Sequence, residues 1–276
     1  MHDILVIKIG GGAGIDLAPL APQLSALIAR GHTPILVHGG SHETDTLANQ
    51  VAHPPTRLLS PSGHESRRTD PRTLDLFTMA CAGKVNTHVV AALRAANVDA
   101  VGLSGVDAGL WIAERKSAIR AIEGDRTVLI RDDLSGRVVY VDARILRLLI
   151  ADGRVPVLCP PAITSDAVVV NVDADRAAAA TAIAMNASHL LLLSNVPGVL
   201  ADPADHSSLI ASASAVGLET IRAAARGRMK NKVLAAEEAI NAGVRRVTIG
   251  SANGADALAR ALAGVGTVLE QPGVPA

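Results

Sequence analysis

A lysine lies near the end of an apolar run at the start of the chain, directly before a series of glycines. The run covers residues 4–9, Lys8 is its one charged residue, and Gly10, Gly11 and Gly12 follow it. Burying an ammonium is costly unless it meets an anion, and glycines allow backbone N–H groups to approach phosphate oxygens closely. The pattern indicates a phosphate-binding turn, although a lysine that extends into solvent beside a tight turn fits the same residues.

Two further stretches have the composition of anion sites at the start of a helix. The first is His38-Gly39-Gly40-Ser41, and the second is residues 227–232, which contain the cations Arg228, Lys230 and Lys232. Free N–H groups at a helix N-terminus suit an anion, and cations there oppose the helix dipole unless an anionic ligand is bound. An ordinary strand-to-helix turn and a basic surface turn are the alternatives, and spacing does not choose among the three cations.

Polar residues elsewhere could bind and orient a substrate. Asn171 and Asp175 follow a predicted strand, where Asn171 could donate hydrogen bonds and Asp175 could hold lysine ammoniums. Arg67 lies in a Ser-Arg-Arg-Thr-Asp stretch, and an arginine fork matches a carboxylate in bidentate geometry. Helix capping by the aspartate and solvated surface charge on the arginine explain the same residues.

Several familiar motifs are incomplete, and each incomplete motif weakens one reaction class. The glycines that begin at Gly10 lack the third glycine of G-x-G-x-x-G. Gly83-Lys84 lacks the rest of a Walker A loop, and the sequence after Gly102 lacks the last glycine of a nucleophile elbow. The nine histidines and two cysteines have no metal-ligand spacing, so no metal site is predicted.

Composition limits the class of protein. Hydrophobic residues make up 49% of the 276 residues and charged residues 19%, which allows a sizeable core. The formal net charge is +0, which argues against a nucleic-acid-binding protein. Cys81 and Cys159 form neither a CxxC pair nor a disulfide framework, and no apolar run approaches the roughly 20 residues of a membrane helix. We therefore expect a cytoplasmic protein that binds neither nucleic acid nor membrane.

Short β-branched runs alternate with longer segments rich in Ala and Leu, which is typical of βαβ units and a mostly parallel sheet. Strands are predicted over residues 4–9, 33–37, 98–103, 155–158, 168–170, 190–193, 245–249 and 267–269. Helices are predicted over residues 17–30, 41–51 with Ser41 as N-cap, 71–96 after an Asp70 cap, 142–151, 174–185, 228–242 and 256–263. Residues 53–69 predict a loop or hairpin, and residues 111–141 predict antiparallel hairpins. Ligands of such sheets bind beyond the carboxyl ends of the strands, where the glycine turns lie.

Taken in order, these stretches resemble the amino acid kinase family, and within it the acetylglutamate kinase branch. The resemblance covers essentially the whole chain. It implies an α/β fold, namely a three-layer αβα sandwich around a mainly parallel open sheet. It also implies one domain of residues 1–276, with a substrate-binding lobe of residues 1–185 and a nucleotide-binding lobe of residues 186–276. The matching strings are Lys8-Ile9-Gly10-Gly11, Val37-His38-Gly39-Gly40, Arg67-Arg68-Thr69-Asp70, Gly83-Lys84-Val85-Asn86, Asn171-Val172-Asp173-Ala174-Asp175, Leu193-Ser194-Asn195-Val196-Pro197-Gly198-Val199 and residues 227–232.

The resemblance implies a role for each matching residue. Lys8 and Lys232 would stabilise a phosphoryl group in transit, Asp175 would orient both lysines, and backbone N–H groups of Gly10 and Gly11 would contact the same phosphoryl group. Substrate binding is implied for Gly39, Gly40, Arg67 and Asn171, and nucleotide binding for Ser194, Asn195, Val196, Pro197 and Gly198. The resemblance also implies ATP as the donor, with Mg²⁺ held mainly by phosphates and water.

Three departures from the acetylglutamate kinase pattern resemble a sub-branch that acts in lysine biosynthesis: Met229-Lys230, Ser194-Asn195 and His53-Pro54-Pro55. Members of that sub-branch act on 2-aminoadipate, and some also act on glutamate in the biosynthesis of arginine or ornithine. The amino group of the substrate is linked to a small acidic amino-group carrier protein. This implies the carrier as a partner, and a homodimer is the family expectation. A basic rim would suit the carrier, formed by Arg57, Arg67, Arg68, Arg72, Arg115 and Lys116. Free N-acetylglutamate as the substrate, or a non-catalytic nucleotide-binding domain, are the alternatives.

Overall fold

The computed structural model describes residues 3–15, 19–61, 63 and 65–271. Its strands are β1 Asp3–Ile9, β2 His32–His38, β3 Arg57–Leu59, β4 Glu65–Arg67, β5 Ala100–Ser104, β6 Trp111–Arg115, β7 Ile119–Glu123, β8 Arg126–Ile130, β9 Ser135–Val141, β10 Val155–Cys159, β11 Ala162–Thr164, β12 Val169–Val172, β13 His189–Ser194, β14 Arg246–Ser251 and β15 Thr267–Glu270. Its α-helices are α1 Leu20–Ala29, α2 Ser41–Gln50, α3 Pro71–Thr78, α4 Asn86–Ala95, α5 Arg144–Ala151, α6 Ala174–Ala184, α7 Ala213–Val216, α8 Leu218–Ala224, α9 Met229–Asn241 and α10 Ala257–Leu262.

The central sheet has the strand order β15-β14-β13-β1-β2-β10-β5. Strand β15 is antiparallel to β14, and the other neighbouring pairs are parallel. Strand β1 lies between β2 and β13, in a register that pairs Ile9 with His38 and with Leu193. Because the carboxyl ends of these three strands are level, the turns that follow them meet at one edge of the sheet.

Alternate residues of β1 face two different layers of helices. Leu5 and Ile7 pack into the core with residues of α1, α4 and α10, whereas Val6 packs into the core with residues of α6 and α9. Both faces of the sheet are covered, as a parallel sheet requires, and the predicted three-layer α/β fold is confirmed. Lys8 has the same parity as Val6, so its side chain leaves the sheet toward α6 and α9.

A smaller β structure lies beside the central sheet. Strands β11, β12, β9 and β6 form a closed four-stranded ring, in which β6 and β9 are antiparallel. Strand pairs β3–β4 and β7–β8 are antiparallel hairpins, which confirms the hairpins predicted for both segments. The Trp111 indole N–H donates to the Thr181 hydroxyl at 3.0 Å and thereby joins the ring to α6. Strand β11 and helix α8 were not predicted, because both are too short to show a periodic pattern.

Two helix predictions need correction. Ser41 is the first residue of α2 and not its N-cap: Gly40 holds that position, and the Ser41 hydroxyl donates to the carbonyl of Gly11 at 2.9 Å. The helical stretch after Asp70 is continuous, but Met79–Val85 between α3 and α4 is π-helical. The wider turn packs Cys81 against Gly40, where an added Cβ would lie 2.9 Å from the Cys81 Cβ. The helix predicted from residue 17 begins at Leu20 in the structure, and residues 17 and 18 lie outside the described part.

The stretch Pro71–Ala95 is, among the described residues, the one helix whose length and composition would allow a membrane crossing, with 25 residues and a mean hydropathy of 1.2. This is weak evidence, because the core helix of a soluble protein passes the same test. The sequence showed no uninterrupted apolar run here, since Lys84 and Asn86 lie within it. Its residues Phe77, Cys81 and Val89 are buried in the core of the molecule.

Candidate active site

Two lysines far apart in sequence share one buried carboxylate. The Lys8 ammonium lies 2.8 Å from Oδ1 of Asp175, and the Lys232 ammonium lies 2.8 Å from Oδ2 of the same residue. Lys8, Asp175 and Lys232 are 5%, 6% and 7% exposed. The end of β1 supplies the first lysine, the first turn of α6 supplies the aspartate, and the first turn of α9 supplies the second lysine. The predicted pairing of Asp175 with both lysines matches this geometry.

The charges of the cluster explain why it can be buried. Burial lowers the pKa of the Lys8 ammonium, and the like charge of Lys232 acts in the same direction, while Asp175 opposes both. Burial alone would raise the pKa of the Asp175 carboxyl, but the two ammoniums outweigh it and hold the pKa well below its ordinary value. Two ammoniums share one carboxylate, so the ionised cluster has one positive charge in excess, which suits an anion.

The two glycine turns beside the cluster contact each other through their backbones. A Cβ added to Gly11 would lie 2.3 Å from the carbonyl carbon of Gly39, so no larger residue fits between the turns. The Gly11 carbonyl accepts from the His42 N–H at 2.8 Å and also from the Ser41 hydroxyl. These two hydrogen bonds fix the start of α2 against the first glycine turn.

One predicted contact needs correction. The Gly10 N–H donates to the carbonyl of Leu193 at 2.9 Å, so it is already used within the protein.

Substituting Gly11 with alanine is expected to separate the two turns. We expect about 1–3 kcal/mol of destabilisation from the overpacking, and a fall in turnover that reaches about 10²-fold if the turns move by about 1 Å. Chemical denaturation and steady-state kinetics measure the two effects. Gly83→Ala is the matched control, since its added Cβ meets no heavy atom within 4 Å. A Gly11→Ala protein with unchanged stability and turnover would contradict the close-approach argument.

One cavity of about 580 Å³ contains the charge cluster. It is lined by thirteen of the fourteen residues predicted for the site: Lys8, Gly10, Gly11, Gly39, Gly40, Arg67, Asn171, Asp175, Ser194, Asn195, Val196, Gly198 and Lys232. Pro197 does not line it. The hydroxyl of Ser194 is buried and has no hydrogen-bond partner among the described residues, which leaves it available to a ligand.

Arg67 and Asn171 line the cavity on the side of the β3–β4 hairpin and the four-stranded ring. The Arg67 guanidinium lies 2.6 Å from a carboxylate oxygen of Asp45 and donates to the Ser41 carbonyl at 3.1 Å. Burial lowers its pKa, and Asp45 opposes that shift. The Asn171 amide donates to the Thr69 hydroxyl at 3.2 Å. Both side chains are therefore held in place by the protein, with a guanidinium and an amide facing the cavity.

The structure distinguishes the three cations at the start of α9. Lys232 is buried on Asp175, Arg228 is exposed but lines the cavity, and Lys230 is exposed and does not line it. Two other cavity residues, Asp173 and Asn231, belong to the predicted motifs but had no role in the prediction. The side-chain amide of Asn231 donates to a carboxylate oxygen of Asp173 at 2.7 Å, although the two residues are 58 positions apart in sequence. Such a contact has no signal in one sequence, beyond the position of Asp173 directly before a helix.

The acidic residues of the cavity do not form a metal site. Across residues 3–15, 19–61, 63 and 65–271, no group of three or more His, Cys, Asp or Glu side chains could hold a metal ion. Asp175 is occupied by the two lysines, and Asp173 accepts from the N–H groups of Asp175 and Arg176. A divalent cation would therefore have to enter with a ligand that supplies its own oxygen atoms.

Known proteins share this arrangement of sequence and fold. The amino acid kinase family model matches residues 3–251. A Deinococcus radiodurans protein named LysW-aminoadipate kinase is 43% identical over 267 residues, which cover 97% of this chain and 91% of that protein. Acetylglutamate kinase of Myxococcus xanthus is 36% identical over 249 residues, 88% of this chain and 79% of that protein. The crystal structure of smu.665 from Streptococcus mutans has a TM-score of 0.75 at 23% identity, covering 98% and 99% of the two chains, and shows the fold alone. Since the family model and these relatives span most of its length, the chain belongs to the amino acid kinase family.

Proposed function

We propose that this protein transfers a phosphoryl group from ATP to the side-chain carboxylate of an amino-blocked acidic amino acid and so forms an acyl phosphate. The observation that carries the proposal is the pair of lysines on Asp175, which lies in the cavity between the glycine turns and the start of α9. A non-catalytic nucleotide-binding domain would need neither the second lysine nor the carboxylate that holds both.

This chemistry asks little of the protein beyond position and charge. A carboxylate is already ionised at neutral pH, so its attack on the γ-phosphate needs no general base. The barrier lies in bringing anions together and in stabilising the charge that spreads over the phosphoryl oxygens. Lys8 and Lys232 would neutralise that charge, and their shared ion pairs with Asp175 hold the two ammoniums close together. Mg²⁺ is proposed to accompany ATP, bound by phosphate oxygens and water, and to neutralise part of the phosphate charge.

The two ends of the cavity are proposed to bind the two substrates. Arg67 and Asn171 would take the α-carboxylate and backbone of the acceptor, on the side of residues 1–185. The nucleotide would lie along residues 194–198 and the start of α9, on the side of residues 186–276, where the unpaired Ser194 hydroxyl supports this assignment. The charge cluster draws Lys8 and Asp175 from the first lobe and Lys232 from the second, so it would sit at the meeting point of the substrates.

The acceptor is proposed to be 2-aminoadipate, or glutamate, linked to a small acidic carrier protein in lysine or arginine biosynthesis. The name of the Deinococcus relative supports the carrier-linked acceptor, and its identity to this chain exceeds that of the Myxococcus acetylglutamate kinase. The higher identity is the reason for preferring the carrier-linked acceptor over free N-acetylglutamate, which remains the second candidate.

The basic rim predicted for the carrier needs partial correction. Arg57 and Arg67 both pair with Asp45, Arg57 also lies 3.7 Å from Glu65, and Arg68 pairs with Asp132, so three of its arginines have acidic partners within the protein. The Arg115 guanidinium donates to the carbonyls of Asp133 and Arg131 and supports the chain at the base of the β7–β8 hairpin. The acids that pair with the arginines lie far from them in sequence, which is why composition alone overstated the charge of the rim.

The β7–β8 hairpin is the surface proposed to meet the carrier instead. Arg120, Ile122, Thr127 and Leu129 share one face of it, on which Ile122 is 38% and Leu129 is 53% exposed. Arg126 lies at its tip and has no ion pair with another described residue. Lys116, just before β7, lines the cavity, which brings the hairpin close to the acceptor end. The tip also carries the exposed acids Glu123 and Asp125, so the exposed apolar pair, and not a net positive charge, is what supports this surface.

An acceptor assay tests the proposed reaction. Purified protein with Mg-ATP is offered carrier-linked 2-aminoadipate, carrier-linked glutamate and free N-acetylglutamate in turn, and the acyl phosphate is trapped with hydroxylamine. We expect hydroxamate from a carrier-linked acceptor and little from N-acetylglutamate. The Lys232→Met protein, prepared in the same way, excludes a contaminating kinase. Strong activity on N-acetylglutamate alone would replace the preferred acceptor with the second candidate.

We further propose a cytoplasmic homodimer that contacts its second copy through the Pro71–Ala95 stretch. Met79, in the π-helical part of that stretch, is 55% exposed. A single exposed apolar side chain is common on protein surfaces, so the proposal rests on the homodimer expected from the family resemblance.

A further inference from the structure

Asp173 uses its two carboxylate oxygens for two different helices. Oδ1 accepts from the N–H groups of Asp175 at 2.9 Å and Arg176 at 3.0 Å, and so caps the start of α6. Oδ2 accepts from the side-chain amide of Asn231 at 2.7 Å. Asn231 lies in the first turn of α9, directly before Lys232. One carboxylate therefore joins the starts of the two helices that carry Asp175 and Lys232.

We propose that Asp173 and Asn231 are positioning residues that hold Lys232 in register with Asp175 and Lys8 for phosphoryl transfer. The proposal rests on the proposed function, which places Lys232 at the transferred phosphoryl group. In the two proposed lobes, Asp173 belongs to the first and Asn231 to the second. Their hydrogen bond thus crosses the site at the point where a change in lobe spacing would move the lysine.

The start of α9 is otherwise joined to the rest of the protein by the Lys232–Asp175 ion pair and by the packing of Met229 against the core. No side chain caps this helix, and its first turn contains no acidic residue, whereas α6 is capped by Asp173. The lysine side chain has four rotatable carbon bonds, so the position of its ammonium depends on where the helix backbone is held. A hydrogen bond to a carboxylate is among the stronger ones in proteins, and the Asp173–Asn231 bond acts one residue from Lys232.

The residue types fit a positioning role. Asparagine offers an uncharged donor, so it binds Asp173 without adding a third cation beside Lys8 and Lys232. The charge of Asp173 also reaches the cluster, since it opposes the lowering of the Lys8 pKa. Aspartate at position 231 would repel Asp173, and alanine would leave the Oδ2 oxygen without its donor.

Helices α6 and α9 have a second link that serves as the matched control. The Arg176 guanidinium donates to both carboxylate oxygens of Glu238, with its Nε 3.0 Å from Oε2. Glu238 lies nearly two turns from Lys232 and does not line the cavity, whereas its partner Arg176 lines it. Glu238→Gln therefore weakens the packing of the same two helices without touching the start of α9.

The test compares Asn231→Ala, Glu238→Gln and the exchange Asp173→Asn with Asn231→Asp. The exchange keeps an oxygen to cap α6 and keeps a donor–acceptor pair between the helices. We expect Asn231→Ala to lower kcat about tenfold, with the KM of the carboxylate acceptor unchanged. We expect Glu238→Gln to lower Tm as much as Asn231→Ala does but to leave kcat unchanged. We expect the exchange to recover most of the kcat that Asn231→Ala loses.

Nucleotide binding supplies a readout that needs neither turnover nor the acceptor. Calorimetry of ADP and of a non-hydrolysable ATP analogue measures how strongly the site prefers the γ-phosphate. We expect Asn231→Ala to reduce that preference about tenfold, while ADP affinity stays the same. If wild-type protein forms no acyl phosphate, the proposed function fails, and the calorimetric ratio still tests the positioning of Lys232.

Two results would overturn the proposed positioning role. One is an Asn231→Ala protein with kcat and γ-phosphate preference within about twofold of wild type. The other is an equal fall of kcat in Asn231→Ala and Glu238→Gln in proportion to their loss of Tm, because helix packing in general would then explain both. Failure of the exchange to recover kcat would likewise count against the hydrogen bond as the cause.

Discussion

Replacing Lys232 with methionine is expected to lower kcat about 10²–10³-fold, the usual effect of removing one electrostatic contact to a transition state. Methionine keeps the length and volume of the buried side chain. Asp175 retains its ion pair with Lys8 at 2.8 Å, so the protein is expected to stay folded. Circular dichroism and the hydroxylamine assay measure fold and turnover on the same preparation. Lys8→Met is expected to behave in the same way, because its ammonium lies on the other oxygen of the same carboxylate.

Lys230→Met is the matched control for Lys232→Met. Lys230 lies two residues earlier in the same turn of α9, but it is exposed and does not line the cavity. Its removal deletes one positive charge from the same helix end without touching the cluster. Near-normal turnover in Lys232→Met, or an equal loss in Lys230→Met, would contradict the assignment of Lys232 to the phosphoryl group.

Asp175→Asn is expected to reduce both stability and activity. The substitution leaves two buried ammoniums without their shared counter-charge, and loss of one partner of a buried ion pair commonly destabilises a protein by about 3–5 kcal/mol. Turnover is expected to fall at least as far as in either lysine variant, because both lysines lose their anchor. Urea denaturation gives the free energy of unfolding. Asp152→Asn is the control: its carboxylate pairs with Arg154 at the surface and is 63% exposed, so its loss is expected to cost about 1 kcal/mol or less.

The dependence of stability on pH distinguishes this mechanism from a loss of packing. In wild-type protein the pKa of Asp175 lies below its ordinary value of 3.8, so its contribution is complete above that value and is lost as the pH falls through the folded-state pKa. In Asp175→Asn, the Lys8 ammonium loses the carboxylate that opposed the lowering of its pKa. The unfolded chain then binds more protons than the folded protein, and stability is expected to rise from neutral toward alkaline pH. A variant whose stability is independent of pH would contradict this account.

The central sheet and the place of the site could be predicted because they follow from local patterns. Each apolar run that ends in glycine or in Ser-Asn forms a parallel strand, and level strand ends bring the turns together. Lys8 could be singled out since an ammonium in an apolar strand needs an anion. The choice of Lys232 over Lys230 came from the family resemblance, and the structure agrees with it through burial.

Three of the errors share one physical cause, which is pairing between residues that are distant in sequence. The Gly10 N–H was expected at the phosphate, but the carbonyl of Leu193 from the neighbouring strand accepts from it. Ser41 looked like an N-cap, but the Gly11 carbonyl accepts from its hydroxyl. The arginines of the rim met Asp45 and Asp132 for the same reason. A single sequence shows which groups need partners, and only the fold shows which partners they find.

The shared carboxylate has a consequence for the end of the catalytic cycle. Two unpaired lysines would hold inorganic phosphate and other small anions of the cell, and they would retain ADP after transfer. Because Asp175 already occupies both ammoniums at 2.8 Å, an entering anion meets one excess positive charge in place of two. In the proposed reaction, the lysines would pair again with that carboxylate when the phosphoryl group departs. In the proposed reaction, the arrangement would limit competition by simple anions and favour release of the spent nucleotide, a step that limits the rate of many enzymes.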